Sequence, residues 1–168
     1  MFLNLSQPVT LIFITTTLLT GFMLTRAAVH KIWIVVFVLA WLSIQAVISL
    51  QGIYHLSPNA IPPKIILFGV LPMIVGILLL LFTKAGKRDI DTFSVKRLTY
   101  LHLVRIPVEI GLYYLFVAKA IPEIMTFKGQ NFDILAGVTA PFVAHYADKL
   151  GKRTVLIWNL VCLALLLN

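Results

Sequence analysis

Acidic side chains are scarce. Asp and Glu number six among 168 residues, against 14 Lys and Arg, and charged residues of both signs make up only 12% of the chain. A soluble domain is about 25% charged, so an ordinary cytosolic globule is excluded. Cysteine is almost absent. Cys162 stands alone, so no internal disulfide, CxxC or CxxCH exists, and dithiol redox chemistry and covalent c-type haem lack support. Also missing are a Walker loop, a Gly-rich dinucleotide turn, GxSxG, a kinase signature and HExxH. No catalytic constellation is visible beyond His102, Arg105 and Glu109, and an enzymatic role is not expected. The net charge of +8 does not point to nucleic acid, because no aromatic-interleaved basic stretch lies outside the apolar runs. It fits cationic loops against anionic lipid headgroups.

What the chain has is apolar surface: 60% hydrophobic residues and a mean hydropathy of +0.99. That is too much for a disordered chain. A hydrocarbon core of about 30 Å needs about 20 helical residues at 1.5 Å each. Six runs approach this, at about 9–25, 32–54, 65–82, 98–117, 132–147 and 155–168. They are continuous rather than alternating, which favours helices over barrel strands. The expected fold is therefore all-α: one polytopic transmembrane bundle of about six spans, the fifth and sixth short, with no soluble domain. The first run reads as a retained helix. Residues 1–8 carry no Lys or Arg, and Leu24-Thr25-Arg26 is not a small-x-small cleavage site. The sixth run ends with the chain, which reads as a partial or re-entrant span, or as a chain that continues beyond Asn168; the latter is preferred.

Loop charge sets the expected orientation. Odd loops hold Arg26 and Lys31; Lys84, Lys87, Arg88, Lys96 and Arg97; and Lys149, Lys152 and Arg153. Even loops hold only Lys64, Lys119 and Lys128. By the positive-inside rule, loops 26–31, 84–97 and 149–153 face the cytoplasm, and the N-terminus lies outside. The expected location is a bacterial cytoplasmic (inner) membrane.

A charge at mid-membrane costs about 2.5–3.5 kcal/mol on insertion scales, so it needs a partner or a purpose. In the fourth run His102, Arg105, Glu109 and Tyr113 follow spacings of three, four and four, which places them on one helical face. Glu109 is near the middle of the run. Arg105 is four residues earlier and can form an ion pair with it within the helix. Pro107 removes a backbone donor and frees the carbonyl of Leu103; Pro141 does the same for Gly137 in the fifth run. Ala136, Ala140 and Ala144, with Gly137, make a small-residue face that the fourth span can approach closely.

These features point to a non-enzymatic membrane protein. It is expected to bind or translocate a small anionic or polar solute or ion through a cavity lined by the fourth and fifth spans. The site residues are Arg105, Glu109, His102, Tyr113, Pro107 and Pro141, and no cofactor is expected. Arg105 would bind an anionic group and Glu109 would exchange a proton. Two other readings remain open. His102 and His145 fall at similar depth and can ligate a b-type haem or a metal, as in a haem-binding or quinone-linked redox protein. Alternatively the chain is a structural or assembly subunit whose partner surface, toward another subunit or a second copy, is the helices themselves. His30 and His55 fall in loops on opposite sides and cannot join one site. In residues 118–131, Ile121, Ile124, Met125 and Phe127 suggest a short helix on the outer surface. Asp133 is placed to favour the helix it precedes, and Ser94 to cap the next helix after a basic loop.

Overall fold

A computed structural model describes residues 7–28, 32–54 and 60–167. Among them all regular structure is helical: α1 (Gln7–Ala27), α2 (Ile32–Leu50), α3 (Leu71–Phe82), α4 (Lys84–Ile90), α5 (Val95–Leu101), α6 (Arg105–Val117) and α7 (Ile134–Leu166). A π turn, Ile66–Val70, precedes α3, and a 3-10 turn, His102–Val104, joins α5 to α6. His30 and His55 lie outside the described residues. The chain forms two compact units, Met1–Ala27 with Ser94–Asn168, and Ala28–Phe93.

Among the described residues three helical stretches are long and apolar enough to cross a membrane: Gln7–Ala27, Ile32–Leu50 and Val95–Val117. Ile66–Phe82 with Lys84–Ile90 makes a fourth if that pair, bent by 90°, counts as one span. Six were expected. The fifth and sixth runs are helical, but they are the arms of a hairpin within α7, and each falls short of the about 20 residues a crossing helix needs. Most large apolar side chains face outward, with Leu18 at 63% and Phe82 at 76% exposure, while Ala140 and Ala144 are fully buried. Small residues inside and large apolar ones outside suit helices packing in lipid.

In the first unit α1 runs antiparallel to the α5–α6 rod along its length. At one end the Ser94 amide donates to the Ala27 carbonyl (3.2 Å) and the Arg97 guanidinium to that of Arg26. Toward the other end a Cβ on Gly111 would meet the Phe13 ring at 3.0 Å, so glycine sets that approach. Ser94 caps α5 as expected, its hydroxyl accepting from the Arg97 amide (3.3 Å). The threonines of α1 bond back to their own helix, Thr16 to the Ile12 carbonyl (2.6 Å) and Thr20 to that of Thr16 (2.7 Å), which satisfies their hydroxyls within the helix.

The helix α7 continues through Pro141 and is broken instead at Gly151, where φ is 75° and ψ 161°, a region open essentially only to glycine. Its arms lie side by side, with Trp158 Nε1 donating to Thr139 Oγ1 (3.1 Å). The first arm turns Ala136, Ala140 and Ala144 inward. A Cβ on Gly137 would lie 2.8 Å from Ile106 Cγ1 and 3.3 Å from the His102 carbonyl oxygen. This arm covers only the first half of the α5–α6 rod, since it starts beside Arg105 and ends at a groove shared with Val95 and Lys96.

Along the other half of the rod, residues 118–133 pack against Glu109 and Tyr113. They do not form the expected outer-surface helix. Apart from the 3-10 turn Glu123–Met125 they fold back on themselves. Thr126 is fully buried; its hydroxyl donates to the Glu123 carbonyl (2.8 Å) and its own carbonyl accepts from Gly129 (2.9 Å). Ile124 and Met125 stay exposed. A Cβ on Gly129 would strike the Glu123 carbonyl oxygen at 2.4 Å, so the fold-back needs glycine there.

In the second unit Pro72 explains a polar side chain in an apolar helix. Proline has no N–H for the carbonyl four residues earlier, which is that of Phe68. The Gln45 amide supplies the donor (3.0 Å), and the Tyr54 hydroxyl donates in turn to Gln45 Oε1. The α3–α4 bend is tight: Thr83 caps α4 by accepting from the Gly86 amide (3.0 Å), and a Cβ on Gly86 would lie 2.3 Å from the Leu80 carbonyl oxygen.

Candidate functional site

The polar residues of α6 meet the segment leading into α7. The Arg105 guanidinium pairs with the Asp133 carboxylate and also donates to the Cys162 carbonyl (3.3 Å) on the second arm. The expected ion pair within α6 between Arg105 and Glu109 is therefore replaced by one across elements. The reason is reach: once residues 118–131 fold back, Asp133 arrives beside Arg105, and one guanidinium ties α6 to both arms of α7. Spent on Arg105, the Asp133 side chain makes no cap bond to α7. The side chains of Arg105 and Asp133 are 17% and 10% exposed, so the pair is mostly desolvated.

Glu109 is 2% exposed. Its Oε1 accepts from the Asn131 amide nitrogen (2.8 Å), which also donates to the Met125 carbonyl (3.2 Å). Asn131 Oδ1 accepts from the Asp133 backbone N–H (3.1 Å). Asn131 thus binds the carboxylate, the loop and the start of α7 together. Glu109 Oε2 is buried with no hydrogen-bond partner among the described residues. A buried acceptor left unsatisfied costs about 1–3 kcal/mol, more when charged. Chemically, a carboxylate oxygen accepts hydrogen bonds or binds a proton or cation.

His102 sits one turn before Arg105, half-buried, with its ring edge-on to Trp158 at 4.9 Å between centroids. Its Nδ1 is the other buried polar atom without a partner among the described residues. His145 is exposed and packs edge-on to Tyr146 at 4.8 Å. The two imidazoles have different neighbours, and no group of three or more metal-ligating side chains occurs among the described residues. Tyr113 lies above Glu109 on the same face, 5.4 Å from the Phe127 ring, with Lys128 Nζ 4.9 Å from its ring centre and 3.3 Å from its hydroxyl. Pro107 lies in the first turn of α6, where a missing N–H does no damage; the irregular backbone falls just before it, in the 3-10 turn. Pro141 is on the first arm, away from these contacts.

Sequence reasoning singled out Arg105, Glu109, His102 and Tyr113; it did not bring in Asn131 or the pairing of Asp133 with Arg105. One signal was available. Asn131-Phe132-Asp133 brings an amide and a carboxylate to the start of an apolar run, and a mid-span arginine needs an acid nearby. Comparison of the chain with protein-family models, with curated proteins and with solved structures finds no match.

Proposed function

We propose that this chain is a multi-span membrane protein that binds a small cation, a proton or a donor-bearing polar solute at Glu109 and passes it across the bilayer. The observation that carries this reading is the buried Oε2 of Glu109, which no group among the described residues pairs, beside an arginine already neutralised by Asp133. Because Asp133 and the Cys162 carbonyl occupy the guanidinium, the anion expected on Arg105 gives way to a donor on Glu109.

The membrane placement follows from the charges. Arg26, Lys96, Arg97, Lys149, Lys152 and Arg153 belong to one end of the first unit, and Lys119 and Lys128 to the other. By the positive-inside rule the first end is cytoplasmic, the N-terminus is outside, and Glu109 sits near mid-depth. Residues 118–150 then make a crossing whose outer half is not helical. Such backbone is tolerated in a bilayer only when it packs on protein or lines a cavity, and transporters commonly build sites at interrupted helices. The second arm of α7 adds a further short crossing. Neither the haem reading nor the assembly reading gains a specific observation.

The test is ion movement into liposomes carrying the purified chain, read by an internal pH dye under an imposed potential, and by uptake of labelled methylammonium. The wild type is expected to pass one of the two. Glu109→Gln is expected to lose that flux while keeping its helix content and melting temperature. A silent wild type, or a Glu109→Gln variant that conducts normally, overturns the reading.

A further inference from the structure

At the basic end of the first unit a groove of about 570 Å³ opens between α5 and the bend of α7. Lys96 on α5 and Lys152 just after the bend line it, together with Asp148, and Val95, Val155 and Leu156 form apolar walls. Nothing in the Glu109 site uses these residues. From Leu156 an exposed apolar stripe continues along the second arm through Leu160 and Leu163, at the three- and four-residue spacing of one helical face. Two lysines in the lining and a hydrocarbon track leading away form an amphiphilic arrangement.

We propose that this groove binds the headgroup of one anionic phospholipid. Its phosphate would lie between Lys96 and Lys152, and an acyl chain along Leu156, Leu160 and Leu163. The volume falls within the about 300–1,000 Å³ of small-molecule sites; it suits a headgroup and leaves the chains on the helix surface. Charge complementarity selects the occupant. The lining carries two positive groups against Asp148, and Arg97, Lys149 and Arg153 follow close in sequence, while basic pockets between spans on the cytoplasmic side are recurrent sites for anionic lipid. A hydroxyl-bearing headgroup such as phosphoglycerol can also donate to Asp148. A free phosphate would satisfy the lysines but would leave the apolar stripe without a role. The inference rests on the membrane placement and is independent of Glu109.

The experiment is lipid retention by the full chain in detergent, read by native mass spectrometry, with dioleoyl phosphatidylglycerol and dioleoyl phosphatidylcholine at equal mole fraction. Phosphatidylglycerol is expected to be retained in preference. Each lysine near an anionic surface contributes about 1 kcal/mol, so Lys96→Gln with Lys152→Gln should weaken retention roughly tenfold or more. Lys96→Arg with Lys152→Arg, which keeps the charge, should retain the lipid, and Asp148→Asn should bind it at least as well as the wild type. Glu109→Gln should bind it normally, which separates failure here from failure of the Glu109 reading. Equal retention of both lipids, undiminished binding by the double Gln variant, or equally tight binding of glycerophosphate would overturn the proposal.

Discussion

Arg105 pairs with Asp133, 28 residues along the chain, and not with Glu109 one helical turn away. That choice joins α6 to α7 and leaves Glu109 to Asn131. Removing one member of a buried ion pair is expected to cost about 3–5 kcal/mol, because the survivor stays buried and uncompensated. Arg105→Met and Asp133→Leu should each lower the melting temperature in detergent sharply. The double variant should recover part of the loss, with a coupling of about 0.5–3 kcal/mol. Strictly additive losses would show that the two side chains do not act together.

The close approach of the first arm of α7 to α6 depends on Gly137. Gly137→Ala places a methyl group 2.8 Å from Ile106 Cγ1, and overpacking of this kind costs about 1–3 kcal/mol. Gly76→Ala meets nothing within 4 Å and should be neutral or stabilising by up to about 1 kcal/mol through helix propensity. Thermal unfolding of the two variants side by side checks the contrast.

Gln45 is expected to matter only because of Pro72. Gln45→Leu strips the donor from the Phe68 carbonyl and should cost about 0.6 kcal/mol, and at most about 1.7, as for hydrogen bonds between membrane helices. In a Pro72→Ala background the backbone N–H returns, and the same Gln45→Leu change should cost less. An equal cost in both backgrounds would break the link between the two residues.

Gly151 is the hinge of the α7 hairpin. Gly151→Ala forces a side chain into a backbone region that costs about 1–3 kcal/mol. It should also loosen the Thr139–Trp158 hydrogen bond, seen as a shift in Trp158 emission in a protein whose other tryptophans, Trp33 and Trp41, are replaced by Phe. Unchanged stability and emission would mean that the bend lies elsewhere.

Much of this arrangement is legible in the residues themselves. Hydropathy marks out α1, α2 and the α5–α6 rod, because each is a run of about 20 or more mostly apolar residues. The three- and four-residue spacing of His102, Arg105, Glu109 and Tyr113 shows the polar face, and the alanine repeat shows what packs beside it. Two things escape such reading. The partner of Arg105 depends on where residues 118–131 travel, and that path is set by close contacts at Thr126 and Gly129 rather than by any periodic pattern. The place of α7 is hidden as well: an apolar run reads the same whether it packs along the whole of a longer helix or along half of it, and its contacts with Ile106 and Arg105 distinguish the two.

Placement across a bilayer underlies every functional statement above, and labelling with a membrane-impermeant thiol reagent tests it most directly. In a Cys162→Ser background, single cysteines at Glu123 and Arg153, both exposed, report the two ends of the first unit. Glu123→Cys is expected to react in intact cells and Arg153→Cys only after permeabilisation. Reaction of both from the same side would contradict the account.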